Sequence, residues 1–301
     1  MKKITFALDW TPNINHIGFF ISLHKKFYNK KGLNVEIINP EFDNYEITPA
    51  KKIELNIADF ALCPTESLIS YNLKEKKVNL IGIAVILKKD LSAVVSKKSK
   101  NITSPKDLDN KSYASFNARY EELIIKKMIT NDGGAGNVKF YHPNKLGVWN
   151  TIVNDKYDST WIFINWEGVQ SLKLDTPLRF FKMEDYNIPY SYSPILVGKK
   201  ENVFKNGYTK SFLQATKMGF EYAFQNKKQA LDILKNYLIE DEKNINLSEA
   251  YDLTIDSMNH YGKWGYFDKT KVQSFFDWVY NNKIEKKRFM FDDLVTNQFL
   301  D

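Results

Sequence analysis

The segment LDWTPNINH, at positions 8–16, places a tryptophan, two asparagines and a histidine directly after a strand-like segment. Trp10 offers a face for a flat heterocycle, and aromatic stacking contributes about 0.5–1.5 kcal/mol beyond burial. Asn13 and His16 offer groups that can hydrogen-bond the edge of the same ring. Asn13 could equally cap the following helix, and His16 could be a structural residue. One aromatic face with a few polar groups is typical of a small-molecule pocket.

Other predicted loops carry the same mixture of aromatics, hydroxyls, amides and carboxylates. They supply the remaining candidate binding residues: Tyr45, Pro64, Thr65, Glu66, Ser67, Ser115, Asn117, Tyr120, Trp166, Glu167, Tyr190 and Ser191. Tyr113 is an alternative to Tyr120 as the aromatic of its loop. Glu167 follows Trp166 at the end of a buried strand, where its carboxylate could accept from a ligand amino group through a charge-assisted bond. A cap or hinge contact would also explain Glu167, and Glu66 could simply favour the N-terminus of its helix.

Several kinds of site are excluded or disfavoured by composition. The single cysteine, Cys63, excludes an internal disulfide and a cysteine-rich metal site. The histidines show no metal-binding spacing, so we expect no metal. We also expect no cofactor and no catalytic residue. The segment NDGGAG follows a helical pattern, whereas a phosphate-binding loop precedes a helix. It therefore predicts a helix stop.

The chain has 301 residues and a formal net charge of +7 that is spread over many lysines. Its densest basic clusters, at 97–100 and 286–288, do not alternate with aromatics, so no nucleic-acid partner is expected. Hydrophobic residues make up 43% of a globular composition, and no run approaches the ~20 apolar residues of a membrane span. The start lacks a signal-peptide pattern. We therefore expect a cytoplasmic location, or a periplasmic or extracytoplasmic one if a leader has been removed.

Strand and helix patterns alternate along most of the chain, and helical patterns dominate from Lys210 onward. This alternation predicts an α/β protein with parallel sheets flanked by helices. We expect two α/β lobes, formed by 1–90 plus 195–301 and by 91–194, with strand-like crossovers at 88–97 and 192–198. In such sheets ligands bind at the carboxyl ends of the strands. The candidate loops follow strands, so we expect them to line a ligand cleft at the hinge.

Capping residues mark several predicted helix starts. Thr48 precedes Pro49, and a threonine cap followed by proline at the first helical position is a common helix start. Ser104 and Pro105 show the same order, and Thr65 is a further candidate cap.

The segments LDWTPNINHIGFF, ITPAKK, ADFALCPTESLISY and AVILKKDLSAVV resemble the NMT1/THI5-like family. The resemblance covers the first two thirds of the chain and implies the type II periplasmic-binding-protein fold. It also implies a thiamine-related ligand for uptake or salvage, namely 4-amino-5-hydroxymethyl-2-methylpyrimidine or a formylated, aminomethyl or phosphorylated relative. An ABC transporter permease is the protein partner that the resemblance implies.

The same family includes hydroxymethylpyrimidine phosphate synthases, so a cytoplasmic enzyme of thiamine pyrimidine biosynthesis is the alternative. The resemblance implies that such enzymes use a pyridoxal-phosphate lysine, a reactive histidine and a cysteine-rich iron patch. Cys63 stands where the resemblance places the lysine, Ser67 stands where it places the histidine, and IPYSYSP at 188–194 contains no cysteine. These departures favour a non-catalytic binding protein. An intracellular sensor or scavenger is a third possibility.

Overall fold

The computed structural model of this protein describes residues 1–76, 78–258 and 263–300. The chain folds as two compact units. Unit 1 comprises Met1–Asp90, Tyr192–Gln273 and Phe289–Asp301, and unit 2 comprises Leu91–Ser191 and Ser274–Arg288.

Unit 1 is built on a mixed sheet that has five strands among the described residues. Its strands are β1 (Lys2–Ala7), β2 (Leu33–Ile38), β3 (Phe60–Cys63), β4 (Leu80–Val85) and β10 (Ile195–Lys199). The order is β2-β1-β3-β10-β4, with β1 parallel to β2 and β3, and with β10 antiparallel to β3 and β4. Every residue of β3 and β4 is buried. Such continuous apolar runs are typical of strands that are covered on both faces.

Helices of unit 1 cover this sheet. They are α1 (Ile17–His24), α2 (Phe27–Lys30), α3 (Pro49–Glu54), α4 (Glu66–Asn72), α8 (Lys200–Lys205), α9 (Tyr208–Gln225), α10 (Lys227–Lys235), α11 (Leu247–Met258), the start of α12 (Lys269–Asn281) and α13 (Phe291–Leu294). Gly18 of α1 and Gly219 of α9 allow close approach of their helices, because a Cβ on Gly219 would overlap the carbonyl oxygen of Gly18. Phe19 and Phe220 pack edge to face beside them, with ring centroids 5.4 Å apart.

Unit 2 repeats the plan with a second sheet, again of five strands within the described residues. Its strands are β5 (Ser92–Lys97), β6 (Ser112–Ala114), β7 (Lys139–Tyr141), β8 (Ser159–Phe163) and β9 (Leu178–Phe181). The order is β7-β6-β8-β5-β9, with β6 parallel to β7 and β8, and with β5 antiparallel to β8 and β9. The helices are α5 (Glu121–Asn131), α6 (Val148–Val153), α7 (Glu167–Lys173) and the remainder of α12.

The prediction of parallel sheets is confirmed for β1–β3 and for β6–β8, but it is wrong for the two crossover strands. Both β5 and β10 run antiparallel to their neighbours. The apolar pattern of a buried strand reports burial and not direction, so it reads the same in either orientation. The sheets are therefore mixed.

The segment Ser274–Arg288 groups with unit 2, whereas the predicted first lobe runs through residues 195–301. Side chains of this segment pack within unit 2. The ring of Phe275 lies edge-on to Tyr190, with centroids 5.4 Å apart, and Glu285 accepts hydrogen bonds from Arg119. As boundaries of ligand-binding lobes, the two ranges stay a prediction.

The predicted helix starts have mixed outcomes. Helix α3 begins at Pro49 after Thr48, whose Oγ1 accepts from the backbone N–H of Lys51. Ser104 precedes a 3₁₀ turn, Pro105–Leu108, and not an α-helix, and its backbone N–H donates to Asp107 Oδ2 at 3.2 Å. Thr65 is not a side-chain cap, because its Oγ1 donates to the carbonyl of Tyr192 at 2.7 Å. The predicted stop is confirmed, since α5 ends at Asn131.

Candidate functional site

The loop after β1 in unit 1 is held by hydrogen bonds between its own residues. Asn13 caps the 3₁₀ turn Ile14–His16, and its Oδ1 accepts from the backbone N–H of Asn15 at 2.9 Å. The side-chain amide of Asn13 donates to the carbonyl of Thr11 at 3.0 Å. Both polar ends of Asn13 therefore serve the loop, which supports its interpretation as a cap.

His16 and Asp9 form a buried pair in the same loop. His16 Nδ1 accepts from the backbone N–H of Asn13 at 3.2 Å, so the ring proton must lie on Nε2. His16 Nε2 donates to Asp9 Oδ1 at 2.8 Å, and the histidine is fully buried whereas the Asp9 side chain is 12% exposed. These bonds favour a positioning role for His16, exerted through Asp9, over the predicted direct contact with a ligand.

Trp10 and Tyr45 lie together beside Asp9. Both are partly exposed, and their ring centroids are 5.5 Å apart with an interplanar angle of 53°. The Tyr45 hydroxyl donates to the carbonyl oxygen of Asp9 at 2.5 Å. Burial, with a smaller effect of the negative charge of Asp9, raises the pKa of Tyr45. The hydroxyl therefore remains a hydrogen-bond donor at neutral pH.

The loop after β3 begins at the same sheet edge, because β1 and β3 are parallel neighbours with Ala7 opposite Ala61. It contains the predicted residues Pro64, Thr65, Glu66 and Ser67; Thr65 and Glu66 are buried, and the other two are partly exposed. The Thr65 hydroxyl is bonded to Tyr192, as described above.

The pKa of the Cys63 thiol depends on charged residues in both loops of unit 1. Burial raises the pKa of its thiol, and the negative charges of Glu66 and Asp9 raise it further. The same thiol is among the groups that raise the pKa of Tyr45. Asp9, Tyr45, Cys63 and Glu66 thus share one environment, which is rich in hydrogen-bond acceptors and carries an aromatic face.

In unit 2, the loop after β6 contains Ser115, Asn117 and Tyr120. Ser115 and Tyr120 are buried, whereas Asn117 is exposed and has a left-handed backbone with φ +58°. The Tyr120 hydroxyl donates to Glu285 Oε1 at 2.7 Å. Sequence reasoning missed Glu121, a buried carboxylate that accepts from Ser115 Oγ at 2.9 Å.

The loop after β8 contains the predicted residues Trp166 and Glu167. Trp166 is buried, and Glu167 occupies the first position of α7. Glu167 Oε2 accepts from the backbone N–H of Phe163 at 3.0 Å, so one of its oxygens ties the helix start to the end of β8. This bond is the structural contact that was the alternative explanation of Glu167, although it leaves the predicted ligand role untested.

Tyr190 and Ser191 end the chain segment 91–191 of unit 2. The Tyr190 ring packs on Trp161, with centroids 5.2 Å apart, and edge-on to Phe275. Ser191 is fully buried, and its hydroxyl has no hydrogen-bond partner in the part of the chain that the structure describes. Ser104 and Ser159 also have buried hydroxyls of this kind, so this feature alone does not mark Ser191 as a ligand contact.

Among the described residues, no group of three or more His, Cys, Asp or Glu side chains could hold a metal ion. No helix in the described ranges is long and apolar enough to cross a membrane. The chemistry that the described side chains offer is stacking and hydrogen bonding. Acceptor oxygens gather at the edge of unit 1, and hydroxyls lie on the loops of unit 2.

Comparison of the amino-acid sequence with known proteins identifies its family. The model of a family described as NMT1/THI5 like matches residues 13–230, which is more than half of the chain. The formylaminopyrimidine-binding protein of Halalkalibacterium halodurans is 22% identical over 291 residues, which cover 93% of this chain and 85% of that protein.

Solved structures show the fold. The ligand-binding component of an ABC-type import system from Staphylococcus aureus superposes with a TM-score of 0.70 at 13% identity, covering 100% of this chain and 98% of that one. The alkanesulfonate-binding protein SsuA from Xanthomonas axonopodis pv. citri, bound to MOPS, superposes with a TM-score of 0.73 at 8% identity, covering 98% of each chain. The fold is therefore that of type II periplasmic solute-binding proteins.

Proposed function

Because the chain belongs to the NMT1/THI5-like family, we propose that it binds a small thiamine-related pyrimidine. The candidates are 4-amino-5-hydroxymethyl-2-methylpyrimidine and its formylated, aminomethyl and phosphorylated relatives. The similarity to a formylaminopyrimidine-binding protein supports this ligand class. The observation that carries the proposal is the group of Trp10, Tyr45 and Asp9 at the carboxyl edge of the unit 1 sheet.

The chemistry of an aminopyrimidine matches this group. The heterocycle is flat, so it can stack on Trp10, which is partly exposed beside Tyr45. Its exocyclic amino group carries two N–H donors, and a carboxylate is the acceptor that binds such donors most strongly. We propose that Asp9 accepts from this amino group while His16 holds the other oxygen of Asp9. Glu66 adds negative charge to the same environment.

We propose that the protein binds this ligand without transforming it. The synthase chemistry implied by the resemblance needs an amine nucleophile at the position of Cys63. Cys63 carries a thiol and no amine, so it cannot form a Schiff base.

Uptake or salvage of the pyrimidine is the role that fits a binding protein of this fold. We propose an ABC transporter permease as the partner and an extracytoplasmic location, as for an import component. The similarity to the ligand-binding component of an ABC-type import system supports both points.

Mass spectrometry of the small molecules released from the purified protein tests the ligand class. We expect a mass that matches one of the four named pyrimidines, and micromolar or tighter binding of the synthetic compound by titration calorimetry. Thiamine and an alkanesulfonate serve as comparison ligands. Binding of the alkanesulfonate with no binding of any pyrimidine would overturn the proposal.

A further inference from the structure

In loop 115–118 of unit 2, side chains accept hydrogen bonds from several backbone N–H groups. It joins β6 to the start of α5, and Asn117 within it has a left-handed backbone. The backbone N–H of Phe116 donates to Glu121 Oε1 at 3.2 Å, and that of Ala118 donates to Glu121 Oε2 at 3.4 Å. The N–H of Ser115 donates to the carbonyl of Tyr141 on β7 at 2.8 Å, whereas side chains accept from the N–H groups of residues 116–118.

The carboxylate of Glu121 also accepts hydrogen bonds from two hydroxyl groups. Ser115 Oγ donates to its Oε2 at 2.9 Å, and Tyr113 Oη donates to its Oε1 at 3.2 Å. The Ser115 oxygen in turn accepts from the backbone N–H of Asn117 at 2.9 Å. Glu121 is only 4% exposed, so water cannot replace these partners easily. An ionised carboxylate can accept from all four donors because it has no proton of its own.

A second carboxylate holds the residues that follow the loop. Glu285 Oε1 accepts from Tyr120 Oη and from Arg119 Nη2, each at 2.7 Å. The next glutamate on α5 is different, since Glu122 bonds to the exposed His142 and not to the loop. Glu122 is therefore a matched control for Glu121.

We propose that Glu121 is a positioning residue, which holds loop 115–118 in the conformation that presents Ser115 and Asn117 to the ligand. The inference rests on the proposed function, because the two loop residues are candidate ligand contacts. Glu121 itself does not need to touch the ligand. Its effect passes through the backbone N–H groups of Phe116 and Ala118.

Glu121→Gln tests this role with almost no change in shape. In one orientation the new NH₂ group faces the N–H of Phe116, and in the other it faces the N–H of Ala118. One loop N–H therefore loses its acceptor in either case, whereas the hydroxyls of Tyr113 and Ser115 can reorient. We expect ligand affinity to fall about tenfold, and amide hydrogen exchange at residues 116–118 to accelerate by a similar factor. Glu122→Gln should change neither.

Acidification provides a readout that a merely structural role would not move. Protonation turns one Glu121 oxygen into a donor, which removes an acceptor from the loop just as the glutamine does. Burial raises the pKa of Glu121, while the bonds from the loop lower it. The other titratable groups around it are Lys145 on the 3₁₀ turn Lys145–Gly147, Tyr113 on β6 and Glu122 on α5.

We therefore expect wild-type affinity to weaken as the pH falls through the pKa of Glu121, and the affinity of Glu121→Gln to be lower and flatter with pH. Glu122→Gln should keep the wild-type profile. Equal affinities with identical pH profiles for wild type and Glu121→Gln would overturn the inference. If wild type binds none of the pyrimidines, the proposed function fails, and unchanged hydrogen exchange in Glu121→Gln would then separately refute the positioning role.

Discussion

The loops after β1 and after β6 occupy equivalent places in their units but are held in different ways. In the first, Asn13 and His16 bond to the backbone and side chains of the same loop. In the second, Glu121 on the following helix supplies the acceptors. A loop that holds itself concentrates its polar residues in one short motif. A loop that is held by a residue of the following helix is harder to recognise from the sequence.

The difference also assigns different tasks to the two loops. The first loop is held largely by its own residues, with added bonds from Tyr45 to Asp9 and from Thr11 to Glu242, and it can present Trp10 and Asp9 to a ligand. The second depends on the charge of one buried carboxylate, so its conformation should respond to pH.

Trp10→Ala should weaken pyrimidine affinity by about 2–4 kcal/mol, because it removes the stacking face and its apolar contact area. Trp10 is partly exposed, so the free energy of unfolding should change much less. Trp264→Ala is the matched control, since Trp264 is buried in unit 1 against Phe220 and its removal should cost about 3–5 kcal/mol of stability. Calorimetric titration and thermal melting of both variants separate the two effects. Unchanged affinity with a collapsed melting temperature for Trp10→Ala would make Trp10 a core residue.

His16→Ala should lower the free energy of unfolding by about 2–3 kcal/mol, because it leaves the Asn13 N–H and the Asp9 carboxylate without their buried partner. The first loop would then no longer hold itself. His142→Ala is the control, because His142 is exposed and should change stability by less than about 0.5 kcal/mol. Urea unfolding of both variants measures this. Similar small losses for the two would contradict the self-supporting loop.

Stability should depend on pH through Glu121. Its folded-state pKa is raised, mainly by burial, so its contribution to stability is present at low pH and is lost as the pH rises through that pKa. The slope cannot exceed about 1.4 kcal/mol per pH unit, the limit for one proton. Subtracting the unfolding free energy of Glu121→Gln from that of wild type should give a difference that falls from about pH 4 upward. A difference that rises with pH would show that the loop bonds outweigh burial.

Substitutions of Asn13 and Asn117, one in each loop, should give the smallest changes in stability. Asn13→Ala removes a cap and should cost about 1 kcal/mol. Asn117→Ala removes an exposed side chain from a left-handed residue, and Asn117→Gly should instead be neutral or slightly stabilising because glycine adopts that backbone freely. Chemical unfolding of the three variants gives the ranking. A larger loss for Asn117→Gly than for Asn13→Ala would reverse the contrast.

Local sequence patterns predicted secondary structure well where the residues that form the pattern bond to residues nearby in the sequence. The order Thr48–Pro49 predicted the start of α3. Thr65 fits the same capping pattern, yet its hydroxyl bonds to Tyr192, which lies more than a hundred positions away in sequence. A distant partner of this kind leaves no mark near Thr65. The direction of β5 and β10 was also beyond the pattern, because burial alone decides which residues are apolar.

The candidate site shows the same division. The motif LDWTPNINH was recognisable because aromatic and polar residues converge within one loop, although the structure gives Asn13 and His16 holding roles that spacing alone could not distinguish from ligand contacts. Glu121 was missed because it looks like an ordinary acidic residue at a helix start. One local signal existed, since YEE places a carboxylate near Ser115 and the loop. Only its burial reveals which of the two glutamates turns inward.

The proposed binding mode depends on recognition of the pyrimidine amino group by Asp9, which lies beside Trp10. The most direct test measures the affinity of wild type and Asp9→Asn for 4-amino-5-hydroxymethyl-2-methylpyrimidine and for the same compound without its amino group. Asparagine keeps an oxygen for His16 Nε2 and replaces the other oxygen by a donor, so the loop should persist. The account predicts that the substitution weakens binding of the amino compound at least tenfold and leaves binding of the desamino compound nearly unchanged. Equal losses for both compounds, or no loss for either, would contradict it.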